Sequence, residues 1–300
     1  MTNMRAIARH LVRVPLALIA ASWSCAAAWS AEPVDLELVI ATDVSFSIDQ
    51  EEARLQRQGI ISAFRSKEVI DAIRGGALGR IAVAYIDFSS RPYNKVVIDW
   101  QVIEDQASAE AFAAKLAAAP PTRGQSTSIS DALEQAASLI ESNQFEGTRR
   151  VIDVSGDGPN NAGRRVDTVR DDVLSKGITI NGLPIINLAD QWNSRYFLPD
   201  LDRYFEGCVT GGTGSFVVVA HDFQDFARAI RQKLILEMSG LTPERPAPRP
   251  TIMRASAQVM LAQAITPGGP PYEKGCDIGE RLRWGGWGGT AYPPPDSPDR

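Results

Sequence analysis

Histidine and cysteine are scarce in this chain. Its 300 residues include two histidines, His10 and His221, and three cysteines, Cys25, Cys208 and Cys276. A zinc cluster or a cysteine protease is short of parts from the outset. Positive charge is also lacking: 31 Lys and Arg stand against 36 Asp and Glu, a formal charge of −5. With no broad basic field to draw it in, nucleic acid is not an expected partner. What is present is ordinary for a folded soluble protein, with 44% hydrophobic and 22% charged residues. The length sets a prior of about two domains.

The two ends depart from this average. Met1 to Arg13 carry Arg5, Arg9 and Arg13 without an acid, and an apolar run from Val14 to Ala21 leads into Ala26-Ala27-Ala28-Trp29-Ser30. Residues 1–30 read as a secretory signal peptide, cleaved after Ser30 or after Ala28. The run falls short of the roughly 20 residues that a membrane-spanning helix needs, so an uncleaved anchor is the weaker reading and the mature chain is expected to lack a transmembrane segment. The indole of Trp23, just before Cys25, stands where a lipoprotein signal wants a small residue. Loss of residues 1–30 removes three basic residues and no acidic ones, moving the balance from −5 to −8. The exported chain, periplasmic or secreted, keeps Cys208 and Cys276 in a compartment that permits disulfides. These two can pair or stand as separate thiols. At the other end, eleven of the 19 prolines fall in residues 241–300, with Trp284-Gly285-Gly286-Trp287 and Pro293-Pro294-Pro295. This stretch is expected to be a disordered Pro/Gly-rich tail, interrupted by a short helix from Thr251 to Ile265.

Between these ends, residues 31–240 alternate strand-like and helix-like segments, which predicts one α/β domain with a doubly wound, mostly parallel sheet flanked by helices. Leu36 to Ala41, Ile81 to Ile86, Lys95 to Trp100, Arg150 to Val154, Ile178 to Ile180 and Phe216 to Val219 read as strands, the second and third as a hairpin. Glu51 to Phe64, Ser108 to Ala118, Ser130 to Ile140 and Val166 to Ser175 read as helices, with Ser108 and Ser130 as caps. Phe223, Phe226, Ala227, Ile230 and Leu234 mark one face of a closing helix from Asp222 to Met238.

The first strand ends in Asp43-Val44-Ser45-Phe46-Ser47. A turn at the carboxyl end of a strand, where open α/β sheets bind ligands, can direct residues 43, 45 and 47 into one concavity. One carboxylate and two hydroxyls suit magnesium, a hard cation that keeps several waters and needs only one or two carboxylates. Gly124-Gln125-Ser126-Thr127-Ser128 and Ser155-Gly156-Asp157-Gly158 can reach the same edge. Taken singly, the first is a helix cap and the second a tight turn.

Together, in this order, the three segments resemble the metal-ion-dependent adhesion site (MIDAS) of von Willebrand factor A domains. The resemblance runs from about Val34 to Gly240 and implies that Asp43, Ser45, Ser47, Thr127 and Asp157 hold a divalent ion, Mg2+ or another hard cation such as Mn2+, directly or through water. The segments Asp153 to Asn161 and Ile180 to Ile185 look like an uncharacterised family of secreted bacterial von Willebrand A-like proteins, for which no activity carries over. The usual Gly-Gly-Thr is Gln125-Ser126-Thr127 here, so Ser126 and Ser128 stand as alternatives to Thr127, and the usual Thr-Asp-Gly is Gly156-Asp157-Gly158. Asp153 and Asp87 fall inside expected buried strands, where an unpaired carboxylate is costly. Each either supports the site from behind or marks a strand more exposed than its pattern suggests.

These observations predict a periplasmic or secreted protein-binding module of the bacterial envelope, not an enzyme, whose ion is completed by an Asp or Glu of an unidentified protein partner. The resemblance also implies that the closing helix can shift when the metal loop rearranges, which here would be the helix from Asp222 to Met238, although many such domains are static. Two alternatives are a magnesium-dependent phosphate-ester hydrolase and a metal-free scaffold of the same fold. The hydrolase would want a second aspartate where Ser45 stands. Ser155 lacks the Gly-x-Ser-x-Gly setting of a nucleophile, and His221 beside Asp222 reads as a helix-end residue.

Overall fold

Strand β1 (Glu32–Asp43) buries both of its faces, with Leu36, Leu38 and Ile40 on one side and Val39 and Ala41 on the other. Such a strand belongs in the middle of a sheet covered by helices, and the computed structural model, which describes residues 31–188, 197–240 and 271–284, places it there. Strands β2 (Ile81–Phe88) and β4 (Phe145–Gly156) flank β1 in parallel. Strand β5 (Thr179–Pro184) continues parallel beyond β4, and β3 (Lys95–Ile103) closes the other edge antiparallel to β2. The order is β3-β2-β1-β4-β5. On the Leu36 face pack α1 (Gln50–Arg65), α2 (Lys67–Arg74), α3 (Gln106–Ala118) and α7 (Phe226–Ser239). On the Val39 face pack α4 (Ile129–Glu141), α5 (Val166–Ser175) and α6 (Leu201–Tyr204), which runs into a π-helical turn at Phe205–Val209. The expected doubly wound α/β architecture is present. Among the described residues no helix is long and apolar enough to cross a membrane.

Several details differ from the sequence expectation. Asp105, not Ser108, caps α3, and Ser108 completes a reciprocal capping box from three residues inside. Ser128, not Ser130, caps α4. The closing helix starts at Phe226 rather than Asp222, whose carboxylate instead accepts the Asp225 N–H. Ser66 ends α1 and its hydroxyl caps α2, a helix absent from the sequence reading, which ended its helix at Phe64. Phe216 to Val219 is no continuous strand. Asn181 Oδ1 takes the Phe216 N–H at 2.9 Å, and the segment meets β5 in an isolated bridge, Gly182–Val217, with a second, Ile185–Ala220, just beyond the ends of both.

The expectation of disorder throughout 241–300 needs correction for residues 271–284. Cys276 is bonded to Cys208, Tyr272 and Ile278 are buried against the Val39-side core, and a short helix α8 (Ile278–Trp284) follows. The expected signal peptide, the helix from Thr251 to Ile265 and Trp287 lie outside the described residues.

Both strand carboxylates that the sequence singled out are buried, and each has a cation from a helix. Arg57 of α1 reaches Asp87 at 2.7 Å. Lys233 of α7 lies 2.5 Å from Asp153 and 2.5 Å from Glu237, and Asn181 donates to Glu237 at 3.1 Å. Burial, and secondarily the charge of Glu237, push the Asp153 carboxyl up to about 7. One ammonium thus sits between two buried carboxylates. Lys233→Met, which leaves both uncompensated, should lower the unfolding free energy by about 3–5 kcal/mol in urea denaturation. A carboxyl that holds its proton more tightly folded than unfolded adds stability at low pH and loses it as pH rises through its folded value. Measured against Asp153→Asn, the wild-type protein should therefore lose stability as pH rises from the ordinary carboxylate range through about 7.

Candidate metal centre

The parallel register of β1 and β4 pairs Thr42 with Ser155, so the next residues, Asp43 and Gly156, emerge side by side at the carboxyl edge. A side chain at position 156 would place its Cβ 3.0 Å from Asp43 Oδ2, so glycine here makes room for the carboxylate. Asp43 Oδ1 accepts the Ser45 N–H at 2.7 Å, an Asx turn that bends the chain out of β1. The turn ends at Asp49, which caps α1 in a capping box with Glu52.

The five residues singled out in the sequence come together. Thr127 donates its hydroxyl to Ser45 Oγ at 3.1 Å, Ser45 and Ser47 hydroxyls lie 3.1 Å apart, and Ser47 donates to Asp157 Oδ1 at 2.9 Å. Asp43, Ser45 and Thr127 are buried, Asp157 is half-buried and Ser47 is exposed, so the cluster opens to solvent on one side. Of the alternatives to Thr127, Ser128 spends its hydroxyl on the Asp131 N–H at the start of α4.

Asp43 Oδ2 is buried without a hydrogen-bond partner. Burial first, and then the charge of Asp157, hold this carboxyl well above the usual range. A desolvated carboxylate oxygen facing a second carboxylate among three hydroxyls is a donor set that a hard divalent ion neutralises. Among the described residues no three His, Cys, Asp or Glu side chains gather as a metal group. The candidate centre is thus one of two carboxylates and hydroxyls.

Two supports escaped the sequence reading. Ser89, after β2, clamps the Thr127 loop by accepting the Gln125 N–H at 2.9 Å, donating to the Ser126 carbonyl at 2.6 Å and accepting the Ser128 N–H on its own carbonyl at 2.8 Å. Gly124 is required there, because a Cβ would fall 2.1 Å from the Ser89 side chain. Asn160 and Asn161 hold the same loop from the β4 side. Asn161 exchanges two bonds with Thr127, side-chain carbonyl to N–H at 3.0 Å and N–H to carbonyl at 2.8 Å, and Asn160 Oδ1 takes the Ser130 N–H at 3.0 Å. The adjacent amides in Gly158-Pro159-Asn160-Asn161 were the available signal.

Residues 271–284 pack against this pair. Gly279 lies so close that a Cβ would come 2.0 Å from the Asn160 carbonyl oxygen. Glu280 accepts from Asn160 Nδ2 at 2.7 Å, and Arg283 donates to the Asn161 carbonyl at 3.0 Å. Burial pushes the Glu280 carboxyl up to about 7.

The model of the family described as "Protein of unknown function (DUF1194)" matches residues 33–242. The chain belongs to this family. No curated protein matches it. A structure of proximal thread matrix protein 1 from the mussel byssus, with a zinc-occupied MIDAS motif, superposes with a TM-score of 0.50 at 16% identity, covering 70% of this chain and 49% of the mussel chain. The pilus adhesin SpaC from Lactobacillus rhamnosus GG gives 0.50 at 13% identity, covering 69% of this chain and 31% of the adhesin. A von Willebrand factor type A protein from Catenulispora acidiphila gives 0.48 at 14% identity, covering 68% and 43%. The chain thus spans about half the length of the mussel protein and about a third of the adhesin. The DUF1194 chain shares its doubly wound α/β fold with the mussel matrix protein and the pilus adhesin.

In this chain the wall of the candidate centre is tied to the Cys208–Cys276 bond. Replacing both cysteines by serine should cost about 2–5 kcal/mol of stability. It should also speed amide exchange at Thr127 and Ser130 more than in β1 and β2, whose exchange follows global stability, as read by hydrogen–deuterium exchange.

Proposed function

We propose that this chain is a protein-binding module of the bacterial envelope, periplasmic or secreted, with residues 1–30 as its signal peptide, 31–240 as its folded domain and 241–300 as an extension. Asp43, Ser45, Ser47, Thr127 and Asp157 would hold a divalent cation, Mg2+ or Mn2+. The observation that carries this reading is the buried, unpartnered Oδ2 of Asp43 beside Asp157 in a nest of three hydroxyls. When bound, such an ion supplies residual positive charge and an exchangeable water position that a partner's Asp or Glu can take. The zinc-occupied MIDAS motif of the mussel protein supports a divalent site on this fold, and the matrix protein and adhesin support a protein partner. The chain's own groups favour binding over turnover. Ser45 stands where a phosphohydrolase would want a second aspartate, and its hydroxyl is engaged with Thr127 and Ser47.

Thermal melts in EDTA, Mg2+, Mn2+ and Zn2+ test this reading. Metal at about 100 times its dissociation constant should stabilise the wild-type fold by about 2.7 kcal/mol. Asp43→Asn should abolish that response while leaving the metal-free protein as stable as wild type or more so, because it removes a desolvated charge. A wild-type melt indifferent to all three metals would overturn the proposal.

A further inference from the structure

Four large apolar side chains are exposed among the described residues: Phe46, Leu78, Tyr93 and Leu188. Leu78 precedes β2 and lies at the amino edge of the sheet. The other three follow β1, β2 and β5, at the carboxyl edge that carries Asp43 and Asp157. A single exposed apolar residue needs no explanation, but a group on one edge marks an interaction surface. Phe46 is placed most tellingly, since it stands between two candidate donors, Ser45 and Ser47, and is 70% exposed.

The ring of Phe46 is held in place. Its N–H bonds to the Gln125 carbonyl at 3.0 Å, and the Arg123 guanidinium lies 5.0 Å from its ring centroid. Gln125 in turn donates to the Tyr93 hydroxyl at 3.3 Å. Arg123 is exposed and has no carboxylate partner among the described residues. Two aromatic rings and a guanidinium without a carboxylate partner among the described residues therefore border the candidate ion, the composition found at the energetic centres of protein interfaces. The full chain carries −5, and −8 without residues 1–30, so attraction of an acidic partner depends on local positive charge, here Arg123 and the candidate ion.

We infer that Phe46, Tyr93 and Arg123 form a docking rim for an acidic, aromatic-bearing segment of a partner protein. One carboxylate of the segment completes the ion, its neighbouring aromatic or large aliphatic side chain covers Phe46 and Tyr93, and a second carboxylate pairs with Arg123. Only the first of these contacts rests on the metal-dependent reading above.

The test is to pan a displayed random-peptide library against the full chain in Mg2+ and in EDTA, then to measure the selected peptides by fluorescence anisotropy. Peptides enriched in Mg2+ should place an Asp or Glu next to an aromatic or large aliphatic residue, with a second acid nearby. Phe46→Ala should weaken them about tenfold, equivalent to about 1.4 kcal/mol, whereas Phe46→Tyr retains binding. Arg123→Glu should weaken them most at low salt. The metal-induced shift in melting temperature, recorded on the same variants, reports separately on the ion. Acidic peptides without an apolar preference, bound equally by Phe46→Ala, overturn the rim and leave the metal reading standing. An apolar and acidic preference that persists in EDTA upholds the rim and removes the ion. Failure to enrich any acidic peptide overturns the inference, as does Phe46-dependent dimerisation in sedimentation, which would make a second copy of the chain the occupant.

Discussion

A carboxylate taken out of water costs several kcal/mol unless something in the fold answers its charge, and the strands of this sheet bury five. Asp35 accepts the N–H groups of Leu78 and Arg80. Glu37 accepts the Gly147 N–H and the Asn143 amide. Asp87 has Arg57, and Asp153 has Lys233. Asp43 has the Ser45 N–H on one oxygen, neutral hydroxyls around it and, in place of a cation, a second carboxylate, Asp157. Four of these charges are met by the protein itself. The fifth stands at the carboxyl edge, where the cluster is open to solvent through Ser47 and Asp157.

The internal pairs also position the edge. Arg57 spans from Asp87 to the carbonyls of Ala119 and Pro120, which lead into the loop that carries Thr127. Ser89, immediately after β2, holds the same loop a few residues on. Thr127 is thus braced from the β2 side by a buried ion pair and a serine clamp, and from the β4 side by Asn160 and Asn161. Lys233 ties α7 to β4 in a comparable way, and Arg149 adds a bond from β4 to the Glu237 carbonyl near the end of that helix. The flanking helices are joined to the sheet by specific charges as well as by apolar contact.

How far the sequence could be read follows from the range of the forces involved. The apolar run of β1, the Asp-x-Ser-x-Ser turn after it and the Gly-Asp-Gly turn after β4 are local patterns, and they placed the fold class and the five clustered side chains. Helix starts were harder, because serine caps as readily as aspartate. Ser108 and Asp105 both take part in the same capping box, and only the backbone shows which of them precedes the helix. Phe216 to Val219 has strand composition, but a side-chain amide from Asn181 takes one of its N–H groups, a competition that composition does not record. Least legible was the packing of residues 271–284. Their proline and glycine content describes a segment unable to build its own core, whereas the structure gives it the existing surface at Asn160 to pack on.

That packing has a consequence for biogenesis. The chain is made from its N-terminus, so all five clustered side chains, the last at Asp157, are synthesised before either Cys208 or Cys276. The bond between these cysteines spans 68 residues and closes only after the whole α/β layer has been made. The clustered donors and the covalent tie of their outer wall are therefore separated in synthesis: the donors are made before either cysteine, whereas the bond needs both cysteines and an oxidant.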